Sequence, residues 1–293
     1  AYGPTPMTWV RNLALHEGRH AAQMQFATQK GWMLGHYLTG ELTAGAMAGI
    51  FPGPTLLEGD AVVAETALSE SGRGRQGSFL NYMMPAFDCG DLRDYYRWSY
   101  GSQNEYAPDY YRVGYMLVSG MRAFYDDPLF TARYFRKIGS KPGFRNLQKT
   151  VRKASGKNFR ATFAEIEKGY RIIWDREQQE RAPFMKSELV SPKPRLHTEY
   201  NNGAFSVDGT LFLVKSGLST PTSLVMIGKD GREKSIRPFS GATSNLYHDP
   251  SSDRIYWTEA VPAKRWPLEQ KSEVRYIEAG NPSKIHTLTK EGK

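Results

Sequence analysis

The run Trp9-Val10-Arg11-Asn12-Leu13-Ala14-Leu15-His16-Glu17-Gly18-Arg19-His20-Ala21-Ala22-Gln23-Met24 sets the architecture of everything around it. Thr8 can cap a helix, and Trp9, Leu13, His16, His20 and Met24 then recur at spacings of three and four, the period of a helix with one inward face. On such a helix His16 and His20 stand one turn apart on that face, so two imidazoles can share one metal ion. Glu17 stands beside them, placed to take a proton from water held by such an ion. A glycine costs about 1 kcal/mol in a helix interior, so Gly18 predicts that substrate or a neighbouring backbone comes close to the helix there.

Composition bounds what surrounds this helix. The chain has 293 residues and 40 % hydrophobic content, enough to fill one large core or two ordinary ones. It contains no run of about 18 apolar residues, so no transmembrane segment is expected. The opening Ala1-Tyr2-Gly3-Pro4 shows no basic and then apolar leader. A helix of this chemistry starting near Thr8 leaves no room for the sheet on which such helices pack, and the chain therefore reads as a fragment of a larger protein. The single cysteine, Cys89, excludes an internal disulfide framework and a Cys-rich metal site. The net charge is +9, with Lys and Arg read as dispersed among Asp and Glu without a long basic block. That pattern predicts a solvated basic surface and no nucleic-acid partner.

Downstream, Gly40–Ile50 reads as a small-residue helix ended by Phe51-Pro52-Gly53-Pro54. Thr55 offers an N-cap for a helix over 56–68, which puts Glu58 at the third helical position. Glu58 is then either the partner in a capping box or a third metal ligand beside the two histidines. Glu65, two turns further on the same face, is either a surface carboxylate or the acceptor of a ligand histidine's N–H. His36 lacks ligand context and reads as a structural or surface histidine. After the glycine- and arginine-rich loop 69–77 the chain turns aromatic, with Tyr82, Tyr95, Tyr96, Tyr106, Tyr110, Tyr111 and Tyr115 among its residues. Gly114–Tyr125 reads as a buried helix, Asp127-Pro128 starts another, and Ser155–Trp174 is amphipathic with Phe159, Phe163, Ile166, Tyr170 and Ile173 on one side.

The pattern changes near Pro183, and Ser191-Pro192-Lys193-Pro194 reads as a linker. Beyond it lie two hairpins with Asp-Gly turns, Ala204–Val214 and Ser223–Ile236, and strands over 253–259, 274–277 and 285–289.

Two of these segments carry a family resemblance. His16-Glu17-Gly18-Arg19-His20 with Glu58-Gly59-Asp60-Ala61-Val62-Val63-Ala64-Glu65 resembles the H-E-x-x-H and E-G-x-A-x-x-x-E segments of gluzincin metallopeptidases, the peptidase MA group that includes aminopeptidase-N-like enzymes. The resemblance implies a zinc ion bound by His16, His20 and Glu58, with Glu17 as general base and Glu65 behind a ligand histidine. Two imidazoles and one carboxylate would leave a fourth position for water, as a hydrolytic zinc site needs. Tyr111-Arg112-Val113-Gly114 resembles the Tyr-x-x-Gly of the same group, whose phenol donates to the oxyanion; Tyr110, Tyr106 and Tyr115 are the other candidates for that role. The β-rich part resembles Tol-type β-propeller blades, about two of them, too few to close a ring.

The expected fold class is therefore α+β. A mainly helical region similar to the C-terminal half of a zincin occupies 1–185, and an incomplete all-β, propeller-like segment occupies 186–293. The expected activity is zinc-dependent hydrolysis of a peptide or protein substrate, with the β-rich segment a surface for a protein partner. Resemblance to secreted peptidase-propeller proteins implies an extracytoplasmic location, periplasmic or secreted. The alternatives are a non-catalytic binding or scaffold protein that keeps the zincin-like helices, and a metal-free structural protein.

Overall fold

A computed structural model describes residues 7–27, 32–81, 83–88, 90, 93–102, 105, 107–241, 243–263, 265, 266 and 268–289. Cys89, Tyr82, Tyr106 and the first four residues lie outside the described residues. The chain is mixed α+β, helices first and strands after, and it divides into two compact units that meet in sequence between Phe184 and Met185. No helix among the described residues is long and apolar enough to cross a membrane.

The helical unit contains α1 (Trp9–Ala27), α2 (Trp32–Thr39), α3 (Glu41–Ile50), α4 (Gly53–Ala67), α5 (Gly77–Leu80), α6 (Met83–Asp88), α7 (Tyr95–Tyr100), α8 (Tyr110–Ala123), α9 (Phe130–Ser140), α10 (Asn146–Ser155) and α11 (Phe159–Arg181). Its core is built around α8, whose Val113, Met116, Leu117, Val118 and Met121 have no exposed surface. Leu56 and Val63 of α4, Phe130 and Tyr134 of α9 and Ile166 of α11 pack into the same cluster. Short polar side chains start three of the helices: Asp94 caps α7, Asp109 caps α8 and Asn158 caps α11.

The α4–α8 crossing positions the site, and two glycines make it. A Cβ on Gly59 would lie 2.1 Å from the Gly114 carbonyl carbon, and one on Gly114 would lie 1.8 Å from the Thr55 carbonyl oxygen. The two backbones therefore touch where any side chain would hold them apart. Glu58 precedes one of these glycines and Tyr111 sits one turn before the other, so the close crossing draws both residues to the same place.

Several sequence expectations are corrected here. The helix carrying Glu58 starts at Gly53 rather than after Thr55, without a side-chain cap, and Thr55 is buried in its first turn. Glu58 thus lies past the capping position, which removes the capping-box reading. The stripe on α1 is not wholly inward: His16 is buried, but Trp9 is 59 % and Leu13 37 % exposed. Among the described residues, nothing beyond its own stretch of helix lies within 4 Å of a Cβ built at Gly18, so the backbone half of that expectation fails. The next helix starts at Phe130, with Asp127 paired to Arg133 ahead of it, and the last starts at Phe159 on its Asn158 cap rather than at Ser155. Basic charge is not evenly dispersed. Residues 128–164 hold ten Lys and Arg and no Asp or Glu, so this one segment carries more positive charge than the chain's net +9.

The second unit contains β1 (Thr198–Phe205), β2 (Leu211–Gly217), β3 (Thr220–Ile227), β4 (Glu233–Pro238), β5 (Tyr247–Asp249), β6 (Arg254–Pro262), β7 (Gln270–Glu278) and β8 (Asn281–Thr287). They form two four-stranded antiparallel sheets in the orders β1-β2-β3-β4 and β5-β6-β7-β8. The two Asp-Gly turns sit in the β1–β2 and β3–β4 connections, with Gly209 at φ +84° and Gly231 at φ +71°, conformations that favour glycine. Phe212, Leu224, Ile255, Trp257 and Ile277 join the two sheets in one core. The sheets do not close on themselves, and no feature of them is specific to a propeller.

Candidate metal centre

α1 and α4 pack side by side, and His16, His20 and Glu58 meet between them. One ligand atom from each lies within 4.8 Å of the others. Glu58 Oε2 is 3.0 Å from His16 Nε2 and 3.4 Å from His20 Nε2. Tetrahedral zinc with bonds of about 2.0–2.1 Å sets its ligand atoms about 3.3 Å apart, so these spacings fit such an ion. The donor set, two imidazoles and one carboxylate, is one that borderline-soft divalent zinc accepts.

The far side of each imidazole matters as much. His16 Nδ1 lies 3.2 Å from Glu65 Oε2, and His20 Nδ1 lies 2.8 Å from Gln23 Oε1. Both rings thus have an acceptor for an Nδ1–H, the tautomer that leaves Nε2 bare for a metal. Glu65 has no exposed surface and is itself clamped: the Arg73 backbone N–H donates to its Oε1 at 3.0 Å and Arg73 Nε at 2.7 Å. Arg73 Nη2 also lies 2.8 Å from His16 Nδ1. Only one partner can serve that nitrogen at a time, since Glu65 accepts when it carries hydrogen and Arg73 donates when it is bare. Gln23 is held as firmly, its amide nitrogen donating to Leu57 O at 3.1 Å and to Asp60 Oδ2 at 2.8 Å. Asp60 in turn pairs with Arg19 at 2.6 Å, and Arg19 reaches Thr131 on α9.

The electrostatics follow from this packing. Burial disfavours a charged His16, but hydrogen bonds to Glu58 and Glu65 outweigh it and its pKa is pushed up to about 9. His20 is also raised, through Glu58 against the opposing effect of burial. Burial would lift Glu58, yet the two imidazoles hold it well below the usual carboxylate range. Without a metal the carboxylate is thus balanced by protons on the imidazoles, and a cation bound there would displace those protons from the Nε2 atoms.

Glu17 is exposed on the next position of α1, and it lines a hollow of about 110 Å³ together with His16, Glu65, Arg73 and Tyr111. Tyr111, in the first turn of α8, has its ring centroid 6.3 Å from that of His16, stacks on Tyr110 at 4.7 Å and lies under the Arg73 guanidinium at 4.9 Å. Burial and the Glu58 charge raise the Tyr111 pKa, so its phenol stays a hydrogen-bond donor. The other tyrosine candidates sit elsewhere or outside the described residues. Tyr110 is on the outer side of the stack, Tyr115 packs on Phe79 and beneath Gly74, and Tyr106 is not described. His36 is on α2, facing the Gly40 carbonyl at 3.1 Å, away from the cluster.

Two residues of this site escaped the sequence reading. Gln23 is signalled by its spacing, three residues after His20 and seven after His16, which puts it on the same helix face. Arg73 had a weaker signal, the glycines on both sides of it. A Cβ on Gly72 would meet Thr66 Cα at 2.4 Å, and one on Gly74 would meet the Tyr115 ring at 2.4 Å, so only glycines let this loop fold back far enough to bring Arg73 to Glu65. A scan against protein-family models and searches of curated proteins and of solved structures return no match for this chain.

Proposed function

We propose that this chain is a zinc-dependent peptide hydrolase of gluzincin type, with His16, His20 and Glu58 as ligands. One observation carries the reading: both Nε2 atoms converge on the Glu58 carboxylate, while both Nδ1 atoms meet acceptors held from behind, Glu65 by Arg73 and Gln23 by Leu57 and Asp60. A structural histidine pair needs no such second set of partners.

A zinc ion held by His16, His20 and Glu58 would supply Lewis-acid polarisation of the scissile carbonyl and would make nearby water more acidic. The chain's own residues do the rest. Glu17 takes the proton of the attacking water and returns it to the leaving amine, a role its exposed position beside His16 supports. Tyr111 donates its phenolic hydrogen bond to the developing oxyanion, and Arg73 above its ring keeps it oriented. The substrate class, a peptide or protein, comes from the gluzincin resemblance, and the position outside the cytoplasm from the resemblance to secreted peptidase-propeller proteins. The Tol-type, propeller-like character of the β-rich unit and its use as a protein-binding surface rest on the Asp-Gly turns and strand succession.

The experiment is hydrolysis of a mixed peptide library by zinc-loaded wild type and Glu17→Gln, with bound zinc measured in both. The proposal expects equal zinc and a loss of about 10²–10⁴-fold in rate for the variant. Equal rates would remove Glu17 from the chemistry. Zinc retained with no hydrolysis by either protein favours the non-catalytic scaffold reading.

A further inference from the structure

A second site lies elsewhere in the helical unit, in a hollow of about 1120 Å³ between α7, α10 and the N-terminal half of α11. Its walls carry Arg93, Arg145, Lys149, Arg152, Arg160 and Lys168. Among the described residues, Arg145, Lys149 and Arg152 have no carboxylate at ion-pair distance, although all three are exposed and close to one another on and before α10. The sequence explains why. This wall belongs to the segment 128–164, which has no acidic residue to answer its ten basic ones. Against the six cations the hollow sets Asp94, which caps α7 and lies 3.5 Å from Arg160, and Glu165, which is paired with Lys157.

The floor provides an independent sign. Glu167 lines the same hollow, is only 5 % exposed, and its Oε1 is buried with no hydrogen-bond partner in the protein. A buried carboxyl without a partner is destabilising, and folds retain few of them. Burial, with the Asp94 charge nearby, raises its pKa to about 8, so near neutral pH it carries a proton it can donate. A group of this kind under a ring of cations suits a ligand that brings acceptor oxygens and several negative charges. The guanidinium forks of Arg145, Arg152 and Arg160 match the paired oxygens of phosphate. The volume exceeds what a single phosphate would fill.

We propose that this hollow binds an organic or inorganic anion bearing clustered phosphates, held by Arg145, Lys149, Arg152 and Arg160 at the wall and by Glu167 at the floor. Clustered phosphates can come from a free polyphosphate or from a lipid headgroup, and the test separates the two. Titrate the full chain with inorganic tripolyphosphate, and separately with phosphatidylcholine vesicles with and without a phosphatidylinositol bisphosphate, at physiological ionic strength. Compare wild type with the triple variant Arg145→Gln, Lys149→Gln, Arg152→Gln, and with a control of equal charge loss outside the hollow, Lys137→Gln, Lys141→Gln, Lys153→Gln. The proposal expects tripolyphosphate or the bisphosphate-lipid vesicles to bind, about tenfold or more weakly to the first triple and within about twofold of wild type to the control. Glu167→Leu should bind about tenfold more weakly while melting at a higher temperature, opposite shifts that a merely structural residue would not give. Equal weakening by both triples would mark a diffuse basic face and overturn the proposal. Binding of neither probe, or single-stranded RNA bound with no dependence on either triple, would overturn it as well.

Discussion

Glu259 in the β-rich unit and Glu58 in the helical unit are both carboxylates drawn out of water, and they are treated in opposite ways. Glu259 has no exposed surface and is saturated by donors that keep their hydrogens. Arg237 and the Ser240 backbone and hydroxyl serve Oε1 at 2.6–2.9 Å, while Trp257 Nε1 and Arg275 serve Oε2 at 3.1 and 3.0 Å. Glu58 keeps a side chain 22 % exposed, and its partners are two imidazole nitrogens that can give up their protons to a metal. Burial and charge alone therefore do not separate a girder from a reactive centre. The distinction lies in whether the partners can exchange a proton for a cation, and in whether the group adjoins open space.

The sharpest way to break this comparison is to remove the charge at each place. Glu259→Gln leaves two half-buried guanidiniums facing a neutral group and should destabilise the β-rich unit by about 3 kcal/mol in a denaturant titration. Glu58→Gln should abolish zinc retention and destabilise the helical unit by less than Glu259→Gln destabilises the β-rich unit, because its imidazole partners can lose their protons when the charge is removed. If the two variants destabilise their units equally, the contrast fails.

Next in size is the crossing that draws Glu58 and Tyr111 together. Gly114→Ala pushes a methyl group into the Thr55 carbonyl and should cost about 1–3 kcal/mol in thermal or denaturant unfolding. It should also lower peptide hydrolysis, because Tyr111 moves with α8. Unchanged stability would mean that the backbones do not approach as described.

A smaller effect tests the support behind the histidines. Glu65→Gln should weaken zinc binding about 10–100-fold in competition with a chelator, with the fold retained. Gln23→Leu should act in the same direction through His20. No change in either would assign these residues to packing alone.

How much of this was legible from sequence can be followed residue by residue. The spacing of His16 and His20 fixes their common helix and side, with Glu17 on the adjoining exposed position, and Glu58 and Glu65 follow from their place in a second helical run. These are local facts of helical period. What the period does not carry is where a helix begins when its cap is absent, so α4 starts before Thr55. Nor does it carry the course of the loop that brings Arg73 back, which depends on the close contacts of Gly72 with Thr66 and of Gly74 with the Tyr115 ring. The outward exposure of Trp9 and Leu13 depends on which neighbours cover α1, a tertiary matter. Basic charge averaged over the whole chain concealed the acid-free segment 128–164, which only a local count reveals. In the β-rich unit the Asp-Gly turns were readable, whereas β5, three residues long, was too short to announce itself.

A separate comparison concerns a third kind of buried carboxyl, Glu167. Its folded pKa of about 8 lies above the ordinary 4.5, so its neutral form is favoured by folding. Its contribution to stability is complete below pH 4.5, falls as pH rises from there, and is lost once pH passes about 8. Glu167→Gln should abolish this component, so the difference in melting temperature between variant and wild type should widen from acid to pH 8 and then level off. A constant difference would show that Glu167 ionises alike in the folded and unfolded chain.

The claim on which the rest depends is that His16, His20 and Glu58 together hold a zinc ion. X-ray absorption at the zinc edge of the protein loaded with one equivalent tests it directly. The account predicts a first shell of low-Z nitrogen and oxygen at about 2.0–2.1 Å, with outer-shell scattering from two imidazoles that falls to one in His20→Ala. A shell with no imidazole scattering, or one unchanged by that substitution, would contradict it.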